Sequence, residues 1–403
     1  MKKKFTDFDR DEKLLLIIPT LQTVCDVFLD SFFISFIMQN TVNYITDVAI
    51  YKFFFYFSMI IMFFFLAKYC KVFNKVNVLK LFPVFKIILL LSFILLDENA
   101  VNYVVLLGCL YGIMGGFFNL PLNALTGEKV SASKTSYFIG VKNSLYYIFT
   151  ILSPVLLGFF ITKNSYKETA YFLLFLSFFE LILPFFFTKS CKICGEKPEI
   201  IKFLKSALRF PIIRSHLITE ILRGFSISGV LSTLITMYTI YFFHTDLNLG
   251  IFTSIFSIFS IILSFFFGKY ILKKHYPKLI KISSLFILIS LFSFVFYTNQ
   301  FTFLFYNFIQ ATAIVALKNI ADTNTFNISK HDCIKKRHSI EYFVIRDAGL
   351  FIGRWIAFVA LMYIGVFGNQ SWLKYYLIIV ILSILLMSYI SAKISPYIKG
   401  RNK

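Results

Sequence analysis

Charged and amide side chains inside otherwise apolar runs are the residues of this chain best placed to do chemistry. A charge facing lipid costs several kcal/mol, so such groups are expected to face protein or a watery cavity. Gln22, Asp26 and Asp30 lie four apart and share one helix face, with Asp26 near the middle of its run. Glu220 and Arg223, three apart, can pair along a helix. Lys142 and Tyr146 share a face, and Asp347 and Arg354, seven apart, are close in angle, with Arg346 beside them. Groups of this kind can exchange a proton, bind the charged part of a solute, or lock helices together. The plainer reading makes Glu220–Arg223 and Arg346–Asp347 structural locks. Lys86 and Glu180 stand apart from this set; they are expected to pair with each other, or Lys86 to snorkel to the interface.

Other chemistries find little support. Cys191-Lys192-Ile193-Cys194-Gly195 is half of a zinc knuckle, no second pair follows nearby, and His216 is poorly placed to help. No metal or other cofactor is therefore expected. No Gly-rich loop with Lys-Ser or Lys-Thr cradles a phosphate. No nucleophile–base pairing stands out, so the chain does not read as an enzyme.

The elements that must position these groups follow from composition. The chain has 403 residues, 58% hydrophobic and 15% charged. Soluble domains carry about 25% charged residues, so the solvent here must be lipid. Apolar runs predict an all-α polytopic membrane protein with twelve transmembrane helices. They fall at Leu14–Met38, Val48–Ala67, Leu79–Leu96, Val101–Ala124, Tyr137–Ile161, Thr169–Thr188, His216–Phe242, Leu249–Leu272, Ile280–Thr298, Thr302–Ala321, Tyr342–Val366 and Trp372–Ile394. The first is too long for a signal-peptide core and should remain as a helix. The 54 Phe read as lipid-facing bulk.

Net charge +21 orients these helices and implies no nucleic acid. Alternate connections are basic: the N-terminus, Lys68 to Lys80, Lys129 and Lys134, the centre, Lys269 to Lys281, Lys330 to Arg337, and the tail. The other set has only Lys52, Lys163, Lys167 and Lys374. Both termini should be cytoplasmic in a plasma (inner) membrane protein. The longest apolar break, Lys189 to Arg214, divides the chain into six-helix bundles at 1–188 and 216–403, joined by a basic linker at 189–215. Within the linker, Glu199 to Phe210 has the spacing of an amphipathic helix, expected to lie on the inner membrane surface. The cysteine positions give no outer-face disulfide. Gly108, Gly112, Gly115 and Asn119 make a small-residue stripe suited to close helix packing.

The halves echo each other. Phe63-Phe64-Phe65 with Lys68-Tyr69 follows helix 2, and Phe265-Phe266-Phe267 with Lys269-Tyr270 follows helix 8. Tyr137-Phe138 and Lys142-Asn143 in helix 5 answer Tyr342-Phe343 and Arg346-Asp347 in helix 11. Parallel six-helix repeats are a transporter plan. In this architecture the chain resembles the major facilitator superfamily. Its loop after helix 2 keeps Lys71 and Lys75, with Leu66 at the family's Gly place and Cys70 at its Asp place; helix 5 carries Pro154 and Gly158.

The resemblance implies that helices 1, 5, 7 and 11 border a central cavity while helices 3 and 6 lie outside it. It thereby gathers Asp26, Asp30, Lys142, Glu220, Arg223, Arg346, Asp347 and Arg354 as substrate or coupling residues. The expected function is secondary active transport of a small solute by alternating access, with a coupling ion such as a proton. A receptor or scaffold that retains the fold without transporting is the rival reading.

Overall fold

The computed structural model describes residues 8–72, 74–131, 133–188, 198–243, 245–330, 334, 338–368 and 370–397. Cys191, Cys194 and the basic residues Lys189, Lys192 and Lys197 lie outside them. All regular secondary structure among the described residues is helical. The long helices are α1 (Arg10–Asn40), α2 (Tyr44–Val72), α3 (Phe82–Leu96), α4 (Val104–Lys129), α5 (Thr135–Lys163) and α6 (Tyr166–Ile182). They continue with α7 (Pro211–Phe243), α8 (Asp246–Tyr270), α9 (Tyr276–Phe296), α10 (Gln300–Ile328), α11 (Ser339–Phe367) and α12 (Gln370–Ile394). Eleven runs are apolar and long enough to cross a membrane, and one of them, Lys75–Lys129, contains both α3 and α4. The twelve-helix expectation is met.

Helix length follows from the need to satisfy backbone polar groups within each span, since hydrocarbon offers none. The 29 residues of α2 make about 43 Å of helix at 1.5 Å per residue, longer than the roughly 30 Å hydrocarbon layer. Helices of this length project beyond the layer or tilt within it. Phe divides between two uses. Phe28, Phe32, Phe33 and Phe138 are fully buried, while Phe175, Phe179 and Phe266 are more than half exposed on the outer surface.

Close backbone approach fixes the packing. A Cβ on Gly112 would lie 2.2 Å from the Phe55 carbonyl oxygen, and one on Gly108 2.6 Å from that of Tyr51. The small-residue stripe of α4 is therefore the seat of α2. Lys86 and Glu180 meet at 2.9 Å, both buried, and clamp α3 to α6, as expected.

Two six-helix bundles result. They meet chiefly along α2 against α11 and α5 against α8. The linker helix (Ile200–Ala207) is shorter than the sequence pattern suggests. Its buried Phe203 stacks on His338 with ring centroids 5.3 Å apart, docking it against the start of α11.

Candidate functional site

Two local breaks shape the site. Helix α1 widens into a π-turn over Phe28–Phe32, which carries Asp30. Such turns insert an extra residue and re-aim side chains. Helix α7 is interrupted between Phe225 and Val230. The freed Ser228 carbonyl there accepts from Arg354 Nε at 2.7 Å, and Ser228 Oγ receives its second nitrogen at 2.5 Å. Non-helical backbone at membrane depth is tolerated where protein or a cavity meets its polar groups.

Helices α7 and α11 are pressed together at two reciprocal glycines. A Cβ on Gly224 would lie 2.0 Å from the Leu350 oxygen, and one on Gly353 2.0 Å from the Ile221 oxygen. That contact brings the charges of the two helices into register. Glu220 is fully buried and receives Arg223 at 3.3 Å and Arg346 at 3.2 Å. Arg346 also pairs with Asp347, and Arg223 reaches Asp322 on α10 at 3.2 Å. Asn123 of α4 donates to Asp347 at 3.5 Å, tying the network to the first bundle. Burying one such charge alone would be costly; sharing carboxylates between guanidinium groups offsets this.

On the other side of the cavity Asp30 pairs with Lys52 of α2, which is buried. Asp26 has no ion pair among the described residues. Its Oδ1 accepts from Gln22 Nε2 at 2.8 Å and from the Tyr111 hydroxyl at 3.2 Å. Neither Arg223, Arg346 nor Arg354 reaches it. The Arg354 guanidinium instead lies over the Tyr56 ring, 4.3 Å from its centroid.

These groups line three adjoining chambers of about 350, 310 and 360 Å³. Asp30 and Tyr56 border all three. Asp26 and Lys52 open on the first, Lys142, Arg346 and Asp347 on the second, and Glu220 on the third; Arg354 separates the last two. All eight residues singled out in the sequence thus border one central space. Lys142 and Tyr146 share a helix face as expected, yet it is Lys318 whose ammonium sits over the Tyr146 ring, at 4.4 Å.

Asp322, Lys318 and Lys52 were not singled out from the sequence. The expected tenth helix ended at Ala321, one residue before Asp322, because the polar run Asp322-Thr323-Asn324 looks like a loop; α10 in fact continues to Ile328. The signal was the i, i+4 spacing of Lys318 and Asp322, which places them one turn apart on one face. Lys52 was counted among the outer connections but lies inside α2, where Asp30 holds it. A buried amide chain fixes α5 to α10 beside the lysines. Asn143 donates to Asn319, whose amide donates to Ser264 of α8 at 3.0 Å.

Inter-bundle contacts approach the cavity from both ends. On the face where α1 begins, Lys71 of α2 pairs with Glu341 of α11, and Lys330 donates to the Val130 oxygen at 2.6 Å. On the opposite face Asp246 of α8 accepts from Ser35 at 2.5 Å, Gln39 at 3.2 Å and Tyr166 at 2.8 Å, all from the first bundle. Among the described residues, no group of three or more His, Cys, Asp or Glu side chains is arranged to hold a metal.

Comparison with known proteins is consistent with this geometry. Residues 21–325 match the sequence profile of the Major Facilitator Superfamily. The "Uncharacterized protein YqgE" of Bacillus subtilis (strain 168) is 25% identical over 378 residues, covering 90% of this chain and 85% of that protein. A bacterial homologue of the iron transporter ferroportin in its outward-facing state superposes with a TM-score of 0.71 at 13% identity, over 96% of this chain and all of the other. Its inward-facing state gives 0.58 at 12% identity, over 98% and 100%. The human organic anion transporter MFSD10 gives 0.67 at 12% identity, over 94% and 100%. At these identities the structural likeness speaks for the fold alone.

Proposed function

Because the chain belongs to the Major Facilitator Superfamily, a family of membrane transporters, we propose that it carries a small solute by alternating access. One observation carries this reading: a charged central cavity lies between two bundles that pack along α2–α11 and α5–α8 and are joined by a polar latch on either face. A lipid-facing or purely structural charge set would not border one space on both bundles. Opening one latch while the other holds would expose the cavity to one side at a time. The division into bundles at 1–188 and 216–403 with a linker at 189–215 is part of the same proposal, as are cytoplasmic termini and a plasma-membrane location.

Roles follow from the pairing. Glu220, Arg223, Arg346 and Asp347 hold α7, α10 and α11 in register and change partners as the bundles rock. Asp30 and Lys52 do the same for α1 and α2. Asp26, bound only by neutral donors, exchanges a coupling proton. Lys142 and Arg354 contact the solute.

The test is solute flux in proteoliposomes, with the distance between spin labels on Asn40 and Asn248 measured in the same preparation. Two distance populations that shift with an imposed pH gradient, alongside flux, are expected. A single fixed distance with no flux of any solute overturns the reading in favour of a non-transporting membrane protein.

A further inference from the structure

We infer that the cavity takes an organic anion, held at its charged group by Lys142, Lys318 and Arg354; this rests on the carrier reading above. The argument begins from which charges already have partners. Lys52 is neutralised by Asp30, Arg223 by Glu220 and Asp322, and Arg346 by Glu220 and Asp347. Lys142, Lys318 and Arg354 have no carboxylate within ion-pair distance among the described residues. All three border the chambers, and Arg354 forms part of the wall between the one that Lys142 lines and the one that Lys318 lines.

Their positions are built, not incidental. The Asn143–Asn319–Ser264 chain fixes the residues directly following Lys142 and Lys318. The two lysines are near enough to repel each other electrostatically, and both act on Asp322. Arg354 is anchored through Nε and one terminal nitrogen to Ser228, which leaves its other terminal nitrogen without a hydrogen-bond partner among the described residues. Three like charges facing one low-dielectric space repel, and an arriving oxyanion relieves that repulsion while accepting charge-assisted hydrogen bonds. Among the described carboxylates that line the chambers Asp26 alone lacks an ion pair, so a cationic solute would find one free acceptor and meet these three cations.

The body of the solute is read from the first chamber. Tyr146, Tyr147, Phe252, Phe256 and Ile314 line it beside Asp26, with hydroxyl and amide side chains such as Thr236, Asn307 and Gln310 between them. The apolar part of these walls suits an aromatic or aliphatic group, which an inorganic anion lacks. The geometry therefore points to a carboxylate on an apolar body.

The experiment follows thermal unfolding of the purified full-length protein with phenylacetate, 4-phenylbutyrate and hexanoate. Phenylacetamide, phenethylamine and inorganic phosphate are run beside them. A ligand that binds only the folded state raises the unfolding temperature. The carboxylates are expected to raise it, and the amide and amine to leave it unchanged. That response should be lost in the Lys142→Gln/Lys318→Gln double variant, whose own unfolding temperature should stay near wild type because neither lysine has a carboxylate partner. If the double variant fails to fold, the wild-type contrast between acid, amide and amine decides alone. Stabilisation by the amide or amine equal to that by the acid overturns the inference. So does an absent response to all three acids, or a response to phosphate alone. Flux in proteoliposomes separates the two readings. Uptake of the amine or amide, with no response to acids, sinks the anion site and leaves the carrier. Acid binding with no flux of any compound leaves the anion site and sinks the carrier.

Discussion

Lys71 of α2 and Glu341 of α11 form an ion pair across the two bundles in which neither side chain meets solvent. The first lies in the last turn of α2 and the second in the first turn of a helix that goes on to carry Arg346, Asp347 and Arg354. One helix thus joins the latch on this face to the floor of the cavity. A shift of α11 that breaks the pair also moves the network around Glu220, which gives solute binding and gating a shared mechanical element.

The latch predicts a specific asymmetry. Removing one member of a buried pair strands the other charge, at a cost of about 3–5 kcal/mol, whereas replacing both with apolar residues is often neutral. Lys71→Met and Glu341→Met should each lower the unfolding temperature clearly, and Lys71→Met/Glu341→Met should recover most of it. A full double-mutant cycle by thermal unfolding measures the coupling. Additive losses in the double variant would show that the pair does not act as a unit.

The glycine contact between α7 and α11 makes a second prediction. Gly353→Val places a side chain where the Ile221 carbonyl oxygen already sits 2.0 Å from the added Cβ. Neither backbone can give way without separating Glu220 from Arg346. The expected result is a loss of well over 3 kcal/mol or failure to accumulate, in line with overpacked contacts at their worst. Gly349→Ala, one turn earlier on α11, whose nearest neighbours on α7 lie at 3.5 Å and 3.6 Å, should be tolerated. Expression and unfolding of the two variants side by side check this.

Orientation is tested separately. Reporters fused after Asn40 and Glu98 should signal outside, and those fused after Asn74 and Ser131 inside, because Lys and Arg favour the cytoplasmic connections. An outside signal at Ser131 would reverse the assignment.

Most of the architecture was legible because lipid leaves a chain few choices. Apolar length gave the helices, and the recurrence of basic connections kept their count in phase. The Gly108–Gly112–Gly115 spacing gave a close helix contact, though not its partner, α2. Pairing within one helix, as for Glu220 and Arg223, could be read from spacing. Partners on different helices could not, and Lys86 with Glu180 was expected only because the two stand apart from the central set. Asp30 with Lys52 and Arg223 with Asp322 depend on rotations that a one-dimensional pattern does not contain. Asp322 was lost for a further reason: an apolar-length criterion ends a helix at its first polar run, and here that run lines the cavity. The break at Ser228 was equally hidden, since Ser226, Ser228 and Gly229 are all tolerated inside membrane helices.

The contrast between Asp26 and Asp30 separates a transport role from a structural one. Asp30 neutralises Lys52, whose side chain is buried, so Asp30→Asn leaves an ammonium without its counter-charge. Because the Asp30 carboxylate is itself half exposed, water can replace part of the loss, and about 1–3 kcal/mol is expected rather than the full cost of a buried pair. Asp26 accepts only from neutral donors, Gln22 and Tyr111. Its replacement by Asn keeps an oxygen in place to accept both, so Asp26→Asn should fold within about 1 kcal/mol of wild type. What Asn cannot do is take up and release a proton. Uptake driven by a pH gradient should therefore fall to background in Asp26→Asn, while exchange of labelled for unlabelled solute at equal pH persists. Thermal unfolding, gradient-driven flux and exchange on one preparation decide the case. Full gradient-driven flux in Asp26→Asn removes the proton role from this residue, and a collapsed unfolding temperature would make it a structural support instead.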